Sequence, residues 1–245
     1  MSNIAASIHR RLLNVARAEG RPFNELLQHY GLQRFLYRLS KSEYGDRFIL
    51  KGALMLTAWD SSITRPTRDI DLLDHIENLP ETVAGAMRDI CEVAVGEDGL
   101  CFDGESVSAE RIIEGASYAG VRVRFTGYLG AARIPMQIDV GFGDALVPEA
   151  TEVQLPTILD LPPTVLLGYS RESVIAEKLQ IMVALGELNS RMKDFYDVWL
   201  LATRHAFEGF VLSEAVRATF ARRKTSIELP VIALDEAFAD LRRET

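Results

Sequence analysis

The sequence predicts an α/β fold of the α+β kind, a small mixed β-sheet flanked by helices and followed by a helical C-terminal half. Three observations predict it. The first forty residues carry helical periodicity, short β-rich runs follow between residues 68 and 167, and helical patterning resumes from Glu172 onward. With 245 residues, 48% of them hydrophobic and 25% charged, the chain can bury the core of one large domain or two small ones. The proline cluster Pro156, Pro162 and Pro163 precedes the switch to helix, so a boundary is expected near residue 170. Residues 1–170 would then form the sheet core with its N-terminal helices. Residues 171–245 would form a helical domain that contributes to the active site.

Ile4, Ile8, Leu12, Val15 and Ala16 define an amphipathic helix over 3–19, ended by Gly20, with Pro22 starting the next. The second helix continues through Leu39, with a break expected near Gly31. The run from Phe48 to Trp59 has Lys51 as its only charge and reads as a buried helix. From Arg68 to Asp74, carboxylates alternate with aliphatics, as in a strand with one polar face. Leu79 to Val95 has helical spacing. Residues 107–113, 118–126 and 134–140 read as three strands of an antiparallel meander, and 165–167 as a short strand. Further helices are expected at 172–186, 191–206, 212–223 and 233–243, with Gly186 and Gly209 as stops.

Composition excludes several classes of function. The N-terminus lacks a signal-peptide core and no run approaches the roughly 18 apolar residues of a membrane helix, so the expected location is cytoplasmic, with no membrane partner. Cys91 and Cys101 fit neither a metal-ligand spacing nor a disulfide framework. A net charge of −8 argues against a protein that coats nucleic acid. A local basic patch could still hold an RNA end, and Arg10, Arg11, Arg17 and Arg21, or Arg222, Arg223 and Lys224, could supply one. Solvated helix faces explain these residues more simply.

The chemistry centres on Asp69 and Asp71. Two apart in a strand, they project to one side while Ile70 and Leu72 face the core. Paired carboxylates suit Mg²⁺, which takes one or two of them together with substrate phosphates. Alone, the pattern fits a solvated strand edge better than a metal site. Asp139, between Ile138 and Val140, supplies a third carboxylate that could complete metal coordination or accept a hydroxyl proton; it could also be a strand-end residue leading into Gly141 and Gly143. Thr67 lies two residues before Asp69, on the same strand face if the strand reaches that far.

Taken in order, Lys51-Gly52-Ala53-Leu54, Arg65-x-Thr67-x-Asp69-x-Asp71, Asp139, Glu177-Lys178 and Arg191-x-Lys193-Asp194-x-x-Asp197 resemble the motifs of the AbiEii/AbiGii toxins, a branch of the polymerase-β-like nucleotidyltransferases. The resemblance spans roughly residues 45 to 202. It departs at Gly52-Ala53, where the family usually has Gly-Gly or Gly-Ser; Ala53 keeps the backbone N–H that a phosphate would use but alters the cradle.

The resemblance implies that Asp69, Asp71 and Asp139 hold Mg²⁺, with Mn²⁺ as the other candidate, and that Lys178 meets a nucleoside triphosphate with Asp194 near the site. Lys51, Gly52, Ala53, Arg65, Thr67, Arg191 and Lys193 would contact substrate. Asp194, Asp197 and Arg191 share one helix face, so a structural ion-pair network around Lys178 is the competing explanation. The activity implied is transfer of a nucleotide from the triphosphate to an RNA 3′ end, with tRNA as the target and a cognate antitoxin as partner. Phosphorylation of Thr67 would place about −1.5 to −2 charges beside the carboxylates and shut such an enzyme off. Two other readings stay open: nucleotide transfer to a protein hydroxyl, and a non-catalytic nucleotide-binding module.

Overall fold

A computed structural model describes residues 3–60, 66–75, 79–114 and 118–226. They group into two compact units. The first comprises Met1–Ile112, Gly120–Gly143 and Glu152–Gly168, and the second Ile113–Ala119, Asp144–Thr151 and Tyr169–Thr245.

The first unit opens with α1 (Asn3–Glu19), which buries Ala5, Ile8, Leu12 and Ala16 along one stripe, and α2 (Phe23–Lys41). The helix α2 does not break at Gly31. Added there, a Cβ would lie 2.9 Å from Ile134 Cγ2 and 3.5 Å from Met136 Sδ, so the glycine lets the helix lie close on the sheet. This close packing outweighs the roughly 1 kcal/mol that a mid-helix glycine costs.

The expected buried helix over 48–59 is instead a strand, β1 (Ile49–Lys51), a turn at Gly52, and a short helix, α3 (Ala53–Trp59). The reason lies in the position of β1. It pairs antiparallel with β2 (Ile70–Asp74) on one edge and parallel with β7 (Thr164–Gly168) on the other, and all three of its residues are buried. A strand enclosed this way has no polar face and shows no alternation.

After β2 come α4 (Pro80–Glu92), the long strands β3 (Leu100–Glu114), β4 (Tyr118–Leu129) and β5 (Ala132–Phe142), and β6 (Thr151–Leu155), which the sequence did not signal. The strand order is β3-β4-β5-β2-β1-β7-β6. β4 and β5 form the expected antiparallel pair, but β5 then lies parallel to β2, which makes the sheet mixed. Phe35 from α2 packs on Phe102 and Phe125 at centroid separations of 5.5 and 5.0 Å, joining helix and sheet.

Two polar features of this unit carry stability predictions. Asp98 accepts from Arg38 Nη1 at 2.7 Å and Arg34 Nε at 3.0 Å, all three side chains being buried. Burial opposes ionisation of Asp98, yet the two guanidiniums and the Leu100 N–H hold its carboxyl below the ordinary carboxylate range. Asp98→Ala leaves two buried cations uncompensated and is expected to cost about 3 kcal/mol, read from urea unfolding. His29 is the second feature: burial, then the nearby Arg21 charge, push its imidazole down to about 4. The folded state therefore binds fewer protons than the unfolded chain. Its contribution is fully present above pH 6.5 and is lost as the pH falls from 6.5 toward 4, by up to about 3 kcal/mol. Urea midpoints across this range should drop in the wild type and stay flatter in His29→Gln.

The second unit is helical. Ser170 caps α5 (Arg171–Leu185), its Oγ accepting from the Ser173 N–H at 3.1 Å. Gly186, with φ +48°, ends it as expected, and a single 3-10 turn leads to α6 (Met192–Arg204) and then α7 (Gly209–Arg222). Gly209 does not act as a stop. It opens α7, whereas α6 closes at His205. The helix expected over 233–243 lies outside the described residues. Among those described, no helix is long and apolar enough to cross a membrane.

Candidate functional site

In the first unit a row of charge crosses four adjacent strands. Lys51 of β1 stands in register with Asp71 of β2, Asp71 with Asp139 of β5, and Asp139 with Arg122 of β4. The order across the sheet is therefore cation, carboxylate, carboxylate, cation. Like charges on directly opposed residues repel, so a flanking cation on each side offsets the Asp71–Asp139 contact. Arg122 grips Asp139 in a bidentate pair, Nε donating to Oδ1 and Nη2 to Oδ2, each at 2.7 Å. Sequence reading missed Arg122, although Val121-Arg122-Val123-Arg124-Phe125 alternates clearly enough to place both arginines on one face.

Ile70 and Leu72 are fully buried, while Asp71 is part-exposed, as the alternation predicts. Asp69 departs from the expectation: β2 begins at Ile70, so Asp69 and Thr67 precede the strand. Thr67 is oriented by a local turn, Oγ1 donating to Asp69 Oδ1 at 2.6 Å. Gln28 on α2 holds this approach in place, donating to the carbonyls of Pro135 at 2.8 Å and Arg68 at 3.4 Å. Arg65 lies outside the described residues.

Gly52 ties the turn to the acidic strand. Its φ of +74° and ψ of −153° belong to a region essentially restricted to glycine, and a Cβ there would fall 2.0 Å from Asp71 Oδ2. The Asp71 carboxylate thus lies directly against the Gly52 backbone, with Ala53 opening α3 beside it.

Hard carboxylate oxygens at Asp69 and Asp71 are donors of the type Mg²⁺ takes, and two of them suffice when phosphates complete the shell. Among the described residues no group of three or more His, Cys, Asp or Glu could hold a metal ion. Asp139 is turned to Arg122.

In the second unit Lys178, on α5, is clamped by two carboxylates of α6. Its Nζ lies 2.7 Å from Asp194 Oδ1 and 2.9 Å from Asp197 Oδ2, and Arg191 Nε reaches Asp194 Oδ2 at 2.9 Å. The Lys178 side chain is only 15% exposed and that of Asp197 is fully buried, so the network is well shielded from water. Lys193 is exposed on α6. Next to Lys178 on α5, Glu177 meets Arg223 at 3.4 Å, and Arg223 also binds Asp144 at 3.0 Å and Gln180 at 2.9 Å. Arg223 is therefore a structural cation, whereas Arg10, Arg11 and Arg17 lie exposed on α1.

An acidic row on a mixed sheet, approached by a glycine turn, is the donor set by which a divalent cation would be held and, through it, a phosphate-bearing ligand. The comparison with known families identifies the family. Residues 34–244 match the family model described as nucleotidyl transferase AbiEii toxin of type IV toxin–antitoxin systems, and the chain belongs to that family. No curated protein matches the chain. Among solved structures it is similar to JHP933 from Helicobacter pylori, with 14% identity and a TM-score of 0.47 over 89% of this chain and 91% of that one. It is also similar to an H. pylori protein provisionally described as a nucleotidyltransferase, with 12% identity and a TM-score of 0.43 over 98% of this chain and 90% of that one.

Proposed function

We propose that this chain transfers a nucleotidyl group from a nucleoside triphosphate to the 3′ hydroxyl of an RNA, with tRNA as the acceptor, and so acts as the toxin of its pair. Membership of the AbiEii family supports the reading, and the observation that carries it is the Lys51–Asp71–Asp139–Arg122 row with Gly52 against Asp71. Asp69 and Asp71 would hold Mg²⁺, which when bound neutralises charge on the triphosphate. The acceptor oxygen forms a bond to the α-phosphorus, the bond to the leaving pyrophosphate breaks, and the hydroxyl proton passes to a carboxylate. We assign that proton to Asp139, whose oxygens retain acceptor capacity beyond the two bonds from Arg122.

Lys178 is assigned to triphosphate binding and Asp194 to holding its ammonium, with Asp197 in support. Lys51, Ala53, Arg191 and Lys193 are assigned to substrate contact. A cognate antitoxin is implied by the family, and phosphorylation of Thr67 is the proposed means of inhibition. It would replace the hydroxyl now bonded to Asp69 with a dianion. Mass spectrometry of the toxin after incubation with its antitoxin should show the added phosphate on Thr67; a neutralised but unmodified protein overturns this point.

Incubation of the purified chain with Mg²⁺, each α-labelled triphosphate in turn, and total tRNA tests the main reading. Label is expected on tRNA and should vanish in the Asp69→Ala, Asp71→Ala double variant. Label on protein alone would place the acceptor on a protein hydroxyl, and no label at all would leave a nucleotide-binding module.

A further inference from the structure

The helix α6 turns its two acidic side chains, Asp194 and Asp197, inward onto Lys178. What remains facing solvent includes two aromatic rings and two cations. Its exposed residues are Met192, Lys193, Tyr196, Trp199, Ala202, Thr203 and Arg204, and not one is acidic, in a chain whose net charge is −8. Tyr196 is 49% and Trp199 59% exposed, and their rings lie beside each other at a centroid separation of 5.8 Å, tilted by 38°. Two large rings left half in water are costly, and together they form a platform that an added planar group could cover.

We infer that this face of α6 is a docking surface for single-stranded RNA, whose bases stack on Tyr196 and Trp199 while Lys193 and Arg204 meet the phosphates. The partner follows from charge complementarity: the only formal charges exposed on the helix are positive, and rings bordered by cations fit a strand of stacked bases on an anionic backbone. The inference rests on the reading of RNA as acceptor and adds the surface that would hold it. The ion pairs of Lys178 to Asp194 and Asp197 would fix the orientation of the helix, so the platform is built in advance of binding.

The test is fluorescence anisotropy of the full chain with a labelled, mixed-sequence single-stranded oligoribonucleotide, without triphosphate. Tyr196→Ala and Trp199→Ala should each weaken binding about tenfold, and Trp199→Phe much less, because a ring remains. Lys193→Ala with Arg204→Ala should flatten the slope of log affinity against log salt by about 1.4, at 0.7 per single-strand phosphate. Unfolding temperatures should move by only a few degrees, since Tyr196 and Trp199 are about half exposed. Asp71→Asn separates this inference from the transfer reading: it should lower transfer about a thousandfold yet bind the oligonucleotide as the wild type does. If RNA binds through α6 but receives no label, the docking surface stands and the transfer reading falls. If RNA is labelled while the ring variants leave both affinity and KM unchanged, the docking surface falls and the transfer reading stands. A wild type that binds no oligonucleotide, or ring variants that change only the molecular mass in solution, would also overturn the docking surface, the latter in favour of a protein interface.

Discussion

Gly52→Ala is expected to abolish nucleotide transfer and to cost about 2–4 kcal/mol of stability, a larger penalty than its single added methyl suggests. Two effects combine. The backbone there has φ +74° and ψ −153°, which an alanine adopts only under strain, and the new Cβ would sit 2.0 Å from Asp71 Oδ2. Because Asp71 is in register with both Lys51 and Asp139, its carboxylate cannot move aside without disturbing the row on both flanks. Chemical denaturation and a transfer assay on the same preparation check the prediction. In an Asp71→Gly background the contact part of the penalty should disappear and the strain part remain. A Gly52→Ala protein with wild-type stability and activity would show that the turn does not determine the position of Asp71.

Asp71→Asn is the second large effect, and it is confined to chemistry. The amide keeps the size of the carboxylate, so the unfolding temperature should move by only a few degrees. Transfer should fall about a thousandfold, because removing a charged metal ligand withdraws several kcal/mol of electrostatic stabilisation at about 1.4 kcal/mol per decade of rate. Asp69→Asn should behave alike. Steady-state transfer over a range of Mg²⁺ concentrations gives the check: a variant rescued at high Mg²⁺ has lost metal affinity, and one with unchanged kcat assigns the carboxylate a purely structural role. Arg122→Met offers a useful contrast, since it leaves Asp139 uncompensated beside Asp71 and should weaken the fold as well as the activity.

These effects divide along the same line as what could be read from the chain. Local patterning determined much of this protein: the stripe of α1, the alternation that buries Ile70 and Leu72 around Asp71, the antiparallel β4–β5 pair and the helices α5 and α6 all follow from periods of 3.6 and 2.0 and from local stops such as Gly20 and Gly186. The motif residues were singled out through the resemblance to the AbiEii family, since the spacing of Asp69 and Asp71 alone fits a solvated strand edge better.

Tertiary structure decided the rest. The apolar run 48–59 became strand, turn and helix because neighbours occupy both edges of β1, and α2 ran through Gly31 because β5 packs against it there. The partnership of Arg122 with Asp139 joins residues on different strands, that of Arg223 with Asp144 joins residues 79 apart, and the overlap that excludes a side chain at Gly52 comes from Asp71 on the next strand. Which charges face one another depends on strand order and register, and these are set by long-range packing that no window of the sequence contains.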